Sequence, residues 1–94
     1  MELRFDWNPA KALDNITKHG ISFGEAATVF RDPFSSFIPD TVHSIAEQRF
    51  LVLGLSERQR LLVVVHTERE DTIRIISARL ATVNEKRNYE EGQK

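Results

Sequence analysis

Apolar and polar positions alternate at the start of the chain. Leu3, Phe5 and Trp7 are separated by Arg4 and Asp6, the two-residue period of a half-buried strand. Asn8-Pro9 breaks the alternation and predicts a helix start: asparagine caps free backbone N–H groups, and proline lacks the N–H that a first turn leaves unpaired. This helix is expected to reach about Lys18, with Ala12, Leu13 and Ile16 as its apolar residues and Gly20 as its left-handed stop. Lys11, Asn15, Lys18 and His19 fall at i, i+4, i+7 and i+8, which predicts one shared polar face. Ser22-Phe23-Gly24-Glu25 has the form of a capping box and opens a second short helix. Its buried stripe is Phe23, Ala26, Ala27 and Phe30, and Asp32-Pro33 stops it.

From residue 34 the period becomes extended. Phe34 to Ile38 reads as a strand closed by Pro39-Asp40, and Thr41 to Glu47 as a polar loop containing His43. Arg49 to Leu55 is the next strand, followed by the turn Ser56-Glu57-Arg58-Gln59. Leu61 to Glu68 is so apolar and β-branched that it predicts a central strand buried on both faces. Arg69-Glu70-Asp71 forms a tight connection to a strand over Thr72 to Arg79. Thr82-Val83-Asn84-Glu85 is another capping box, opening a last helix that ends near Gly92. The predicted order is β-α-α-β-β-β-β-α. Consecutive hairpins make the sheet mostly antiparallel, with helices packed on one face: an α+β fold. The other face is expected to be partly open, and to be where function lies.

Length and composition narrow this picture. Ninety-four residues suit one domain, spanning residues 1–94, and 40 % hydrophobic with 29 % charged residues is ordinary globular composition. No apolar run approaches a membrane span, and the first residues lack the apolar stretch of a signal peptide, so a cytoplasmic protein is expected. The absence of cysteine excludes disulfide scaffolds, thiolate zinc sites and thiol nucleophiles. The net charge is −1, but it is unevenly placed. Residues 1–47 carry four basic groups against seven acidic ones, whereas residues 48–94 carry nine against seven. Seven of those nine are arginines: Arg49, Arg58, Arg60, Arg69, Arg74, Arg79 and Arg87. Arginine forks suit bidentate phosphate contacts, provided that folding clusters them on one surface.

Candidate chemistry concentrates in two tracts. In His66-Thr67-Glu68-Arg69, His66 and Glu68 project to the same side of a strand. An imidazole titrating near ~6.5 can accept a proton, with the carboxylate to orient it. The alternative is a histidine hydrogen-bonded at a strand end. A metal site would need a third ligand, from His43 or His19, and the spacing matches no zinc motif. In the tract from Thr72 to Arg79, Ser77 and Arg79 are expected on one face and Arg74 with Ile76 on the other. Arg79, beside the cap of the last helix, either holds a phosphate or forms a surface ion pair with Glu85. Tyr89 is expected to pack, and Lys18-His19 to suit the helix C-terminus electrostatically. No GxSxG, P-loop, HExxH or GxGxxG pattern is present.

Six stretches together resemble the BrnT toxin family, in order and spacing over about residues 3–91. They are Phe5 to Lys11, Asn15 to Phe23, Glu25 to Phe30, Leu61 to Arg69, Arg74 to Arg79 and Glu85 to Glu90. Lys18-His19 match the family's KHG motif, His66 to Arg69 its HTER motif, Arg79 the arginine of its SAR motif, and Tyr89 its late tyrosine. The resemblance implies a RelE-like fold and a metal-free endoribonuclease toxin that uses the RNA's own 2′-OH and inhibits translation. It also implies no cofactor and a BrnA-type ribbon-helix-helix antitoxin bound in a hetero-oligomer. Operator DNA would be touched only through that antitoxin, and no membrane is involved. The expected catalytic group is His66 as base held by Glu68, Arg79 and Arg69 on the phosphorane, and Lys18, His19 or Tyr89 as acid or clamp. Arg69, Arg74, Lys11 and Arg49 are the expected RNA contacts. The competing expectation is a non-catalytic or degenerate partner that shapes a repressor.

Overall fold

Helix ends follow from local chemistry. Helix α1 (Pro9–His19) starts where the Asn8 side chain accepts hydrogen bonds from the Ala10 and Lys11 backbone, with Pro9 in the first turn. It stops at Gly20, which takes the left-handed φ of 69° and donates its N–H to the Ile16 carbonyl. Helix α2 (Phe23–Thr28) is capped by Ser22, whose hydroxyl accepts from the Glu25 N–H. The expected reciprocal half of that capping box is missing. The Glu25 side chain is buried and turns instead to Ser56 and Arg60. Helix α3 (Val83–Glu91) has the full Thr82/Glu85 box.

The computed structural model describes residues 3–40 and 48–93, and the predicted loop 41–47 with His43 lies outside them. Besides the helices, these contain a 3-10 turn (Val29–Arg31) and strands β1 (Arg4–Trp7), β2 (Ser36–Asp40), β3 (Arg49–Leu55), β4 (Leu61–Arg69) and β5 (Thr72–Leu80). The sheet order is β1-β5-β4-β3-β2. Three neighbouring pairs are antiparallel, and β1 joins the β5 edge in parallel. This is a mixed α+β fold of five strands and three α-helices. Strand β2 begins two residues later than expected and runs through Pro39, whose lack of an N–H is tolerated on an edge strand such as this one. No helix among the described residues is long and apolar enough to cross a membrane.

The core lies between one sheet face and the α1–α2 segment. Val52, Leu62, Val64, Ile73, Ile75 and Ala78 meet Ile21, Phe23, Ala26 and Val29, with Phe5, Trp7 and Phe30 packed around them. The 3-10 turn closes onto β3 only because residue 54 is glycine: a Cβ there would stand 2.7 Å from Val29 Cγ1. Helix placement differs from the expectation of one covered face. Asn88 and Glu85 of α3 line a cavity with Leu51, Leu53 and Val63, which project from the side of the sheet opposite Val52 and Val64. Helix α3 therefore covers part of the second face.

Helix α1 also turns differently. Asn15 points inward and is buried, whereas Leu13 and Ile16 are 69 % and 47 % exposed. The reason is the short β1. It pairs with β5 only as far as Trp7 opposite Ile75, which leaves Ala78 on an open edge. The Asn15 amide takes the place of the missing strand: it accepts from the Ala78 N–H at 3.0 Å and donates to the Ala78 and Ile21 carbonyls at 2.9 Å. A polar residue goes inside here because the backbone needs a partner.

Candidate functional site

The sorting of side chains between the two sheet faces decides which candidates can act together. Paired residues project to the same side, and β4 alternates regularly from Leu62 through Val64 and His66 to Glu68 on the helix-covered face. Strand β5 does not. Val65 pairs with Ser77 but His66 pairs with Ile75, so Ile76 is an extra residue, a bulge. The bulge keeps Ile73, Ile75 and Ala78 all in the core. It also brings Arg74, paired with Thr67, to the same face as Ser77 and Arg79. Arg74 was expected to share the opposite side with Ile76, and an uninterrupted strand would have put it there.

His66 and Glu68 are together, as expected, on the helical face. His66 Nε2 lies 3.2 Å from Glu68 Oε2. The imidazole is nevertheless sealed: it is fully buried, stacked on Phe50 at 5.8 Å and edge-on to Phe30 and Phe37 at 4.9 and 5.6 Å. Burial pushes its pKa down, outweighing the opposite pull of Glu68 and of the Val64 backbone. Nδ1 has no partner in hydrogen-bond geometry. Glu68 is 46 % exposed and reaches solvent. A neutral ring inside a phenylalanine box is poorly placed to touch a phosphodiester.

Arg79 is elsewhere. It pairs with Val63 across the sheet, on the second face, and forks onto Glu85 of α3 with contacts of 2.8 and 2.9 Å. The guanidinium holds the Glu85 carboxyl well down, to about 2, helped by the Thr82 N–H. Of the two alternatives for Arg79, the ion pair with Glu85 is the one the structure shows, and it sits on a face rich in arginine. Arg74 lies further along β5, 3.2 Å from Asp6 of β1. Arg69 ends β4 on that side, and Asp6, Arg69, Glu70, Asp71, Thr72 and Arg74 line a surface cavity of about 350 Å³. Arg49 opens β3 and alternates with Phe50, which stacks on His66, so it too belongs to the second face. Four of the expected phosphate-binding groups, Arg49, Arg69, Arg74 and Arg79, thus share one side of the sheet, away from His66. Between Arg74 and Arg49 lies Thr67, which the sequence reading passed over. It is 2 % exposed, and its hydroxyl has no hydrogen-bond partner.

The remaining candidates occupy separate positions. Lys18 is exposed and paired with Asp14 at 3.0 Å. Lys18 and His19 end α1 beside Gly20, whose carbonyl accepts from Arg60 at the start of β4. His66 is six residues further along that strand, about 20 Å at an extended rise. Lys11 is exposed on α1. Tyr89 packs, as expected, and its hydroxyl donates to Asp32 at 2.5 Å. Burial first, and then the Asp32 carboxylate, push the phenol up to about 12. Asp32 also accepts from the Leu55 and Phe34 N–H groups, and these three hydrogen bonds outweigh burial to lower its pKa. Tyr89 is thus a clasp holding α3 against β3.

A second clasp lies beside the first, where Ser56 follows Leu55 at the end of β3. Glu25 accepts from Ser56 and from both Nε and Nη2 of Arg60; the Arg60 hydrogen bonds are the main reason its pKa lies low despite burial. The signal in the sequence for both clasps was weak, since a lone carboxylate near a turn is usually solvated. Among the described residues no group of three or more His, Asp or Glu side chains is arranged to hold a metal ion.

Comparison with known proteins gives a family. The family model described as the ribonuclease toxin BrnT of type II toxin-antitoxin systems matches residues 7–85. The backbone is similar to the 1.1 Å crystal structure of the Brucella abortus ribonuclease toxin, BrnT, with a TM-score of 0.67. That match covers 86 % of this chain and 99 % of the other at 19 % identity, which bears on the fold alone. No curated protein matches the chain in sequence.

Proposed function

Because the chain belongs to the BrnT family of ribonuclease toxins of type II toxin–antitoxin systems, we propose that it cleaves RNA without a metal ion, on the arginine-bearing face of the sheet. The observation that carries this reading is the β5 bulge, which gathers Arg74, Ser77 and Arg79 on one side while His66 is enclosed on the other. The reaction is in-line attack of a 2′-OH on the adjacent phosphorus: the P–O2′ bond forms as the P–O5′ bond breaks, solvent water takes the 2′-OH proton, and water protonates the leaving 5′-oxygen. Charge develops on the equatorial phosphate oxygens. Arg79 and Arg74 supply the opposite charge, each worth about 10²–10³ in rate when well placed. Arg49 and Arg69 extend the phosphate-binding track along the same face. His66 and Glu68 act through the fold, by fixing the end of β4, and do not contact RNA. Lys11, Lys18, His19 and Tyr89 have no part in the chemical step.

The family implies an antitoxin, and in this reading it is a BrnA-type ribbon-helix-helix protein that neutralises the toxin in a hetero-oligomer and alone touches operator DNA. The RelE-like assignment of the fold and the inhibition of translation and growth belong to the same proposal. A second reading, a non-catalytic partner acting as corepressor, is favoured by one observation: Arg79 is already engaged by Glu85. Cleavage of single-stranded RNA in EDTA separates the two. The nuclease reading expects cleavage by the free protein, a loss of about 10²-fold or more in Arg79→Ala, and retention in His66→Phe. A folded parent protein that leaves RNA intact would establish the corepressor reading instead.

A further inference from the structure

Thr67 stands out among the buried polar groups. Its hydroxyl is enclosed by the fold, yet it neither donates nor accepts a hydrogen bond. Threonine hydroxyls in sheets ordinarily find a backbone carbonyl, a neighbouring side chain or water, and enclosing one without a partner opposes folding. Valine has the same shape and would fill this place without that penalty. The position therefore makes sense if the hydroxyl has a partner only when something binds.

Its surroundings indicate the kind of partner. Thr67 pairs with Arg74 across the β4–β5 ladder, so the two side chains stand side by side on the second face. On the other flank, Phe50 is the last β3 residue to pair with β4, opposite His66, and Arg49 precedes it on the Thr67 side of the sheet. Thr67 thus sits on the strand between the two that carry these arginines. The Arg74 guanidinium rests on Asp6 at 3.2 Å, and both side chains are about half exposed, so an arriving anion can exchange with that carboxylate. Two cationic groups above a neutral O–H donor suit a phosphate oxygen: the arginines supply charge, and the hydroxyl supplies one directed hydrogen bond.

We infer that Thr67 is a phosphate-binding residue of the RNA track: when an anion draws Arg74 away from Asp6 the hydroxyl is uncovered, and it donates to a phosphodiester oxygen held by Arg74, with Arg49 on the far flank. This rests on the proposal that RNA lies along the arginine face. It adds a neutral, directional contact to a surface otherwise read through charge.

The test compares Thr67→Val, Thr67→Ser, Arg74→Gln and Arg79→Gln for binding of a short single-stranded RNA with 2′-O-methyl riboses, which cannot be cleaved. Affinity is measured over a range of salt concentrations, and each variant is melted. Thr67→Val is expected to bind about tenfold more weakly, the loss of one hydrogen bond to a charged group. It should keep the parent's salt slope, because no charge is removed, and melt no earlier than the parent. Thr67→Ser should restore binding. Arg74→Gln should lower the salt slope by about one.

If Arg74→Gln and Arg79→Gln weaken binding while Thr67→Val binds like the parent, the inference about Thr67 is overturned and the arginine face stands. If neither arginine variant changes binding, the face itself is wrong. A Thr67→Val that melts markedly earlier would show that the hydroxyl has a partner inside the fold, and would overturn the inference on that ground.

Discussion

Replacing Asn15 by alanine removes a side chain that stands in for a strand. Three buried hydrogen bonds disappear: one from the Ala78 N–H and two to the Ala78 and Ile21 carbonyls. Each buried group left unpaired costs about 1–3 kcal/mol. Carbonyls are the more forgiving, and the space left by the amide admits some water, which places the sum near the lower bound, about 3–4 kcal/mol. A chain of this length has roughly 5–14 kcal/mol of stability in all, so about a quarter or more of it would be lost. With a urea slope of about 1 kcal/mol/M, the unfolding midpoint should fall by roughly 3 M. Asn15→Asp is a sharper version. It can still accept from the Ala78 N–H, but it faces two carbonyls with a negative charge. Its folded pKa is then raised above the unfolded value, so its deficit should shrink as pH falls and grow as pH rises. A midpoint shift below about 1 M for Asn15→Ala would refute the reasoning, because the β5 edge would then be satisfied without the amide.

Three further outcomes follow from the geometry. The folded pKa of His66 is depressed, so the folded state binds fewer protons than the unfolded chain, and stability is lost as pH falls below about 6.5. His66→Phe should remove that part of the acid dependence in urea titrations at a series of pH values. Tyr89→Phe loses the hydrogen bond to Asp32 and should cost about 1–2 kcal/mol, a drop in melting temperature of about 4–16 °C, with RNA cleavage retained. Glu85→Gln releases Arg79 from its carboxylate and removes a negative charge beside it; RNA binding should tighten a few-fold, with a steeper salt dependence in fluorescence titrations.

Element types were legible in the sequence because they depend on local rules. Asn8-Pro9, Gly20 and the Thr82/Glu85 box mark helix ends by groups a few residues apart, and the apolar run in β4 reports burial on both faces. Face assignments were less so, because a single extra residue reverses them. The Ile75-Ile76 doublet is the trace of that residue: core positions fall at 73 and 75, then at 78. Counting by twos across it sent Arg74 to the wrong side. His66 and Arg79 seemed able to converge because both sit on neighbouring strands, yet the sheet itself stands between them. Asn15 was grouped with Lys11 and Lys18 by helical spacing, but the need lies in β5, whose open edge is visible only once β1 is known to stop at Trp7. Glu25 was assigned to its own helix cap because the competing donors, Ser56 and Arg60, come from a hairpin more than thirty residues away.

The claim that RNA lies on the arginine side of the sheet is tested most directly by mapping backbone amide shifts while the non-cleavable RNA is titrated into the isotope-labelled protein. Perturbations should follow Thr67, Arg74, Ser77 and Arg79 and the first turn of α3, leaving Leu13, Ile16 and the 3-10 turn over His66 unmoved. Shifts confined to α1 and the 3-10 turn, with Arg74 and Arg79 silent, would contradict it.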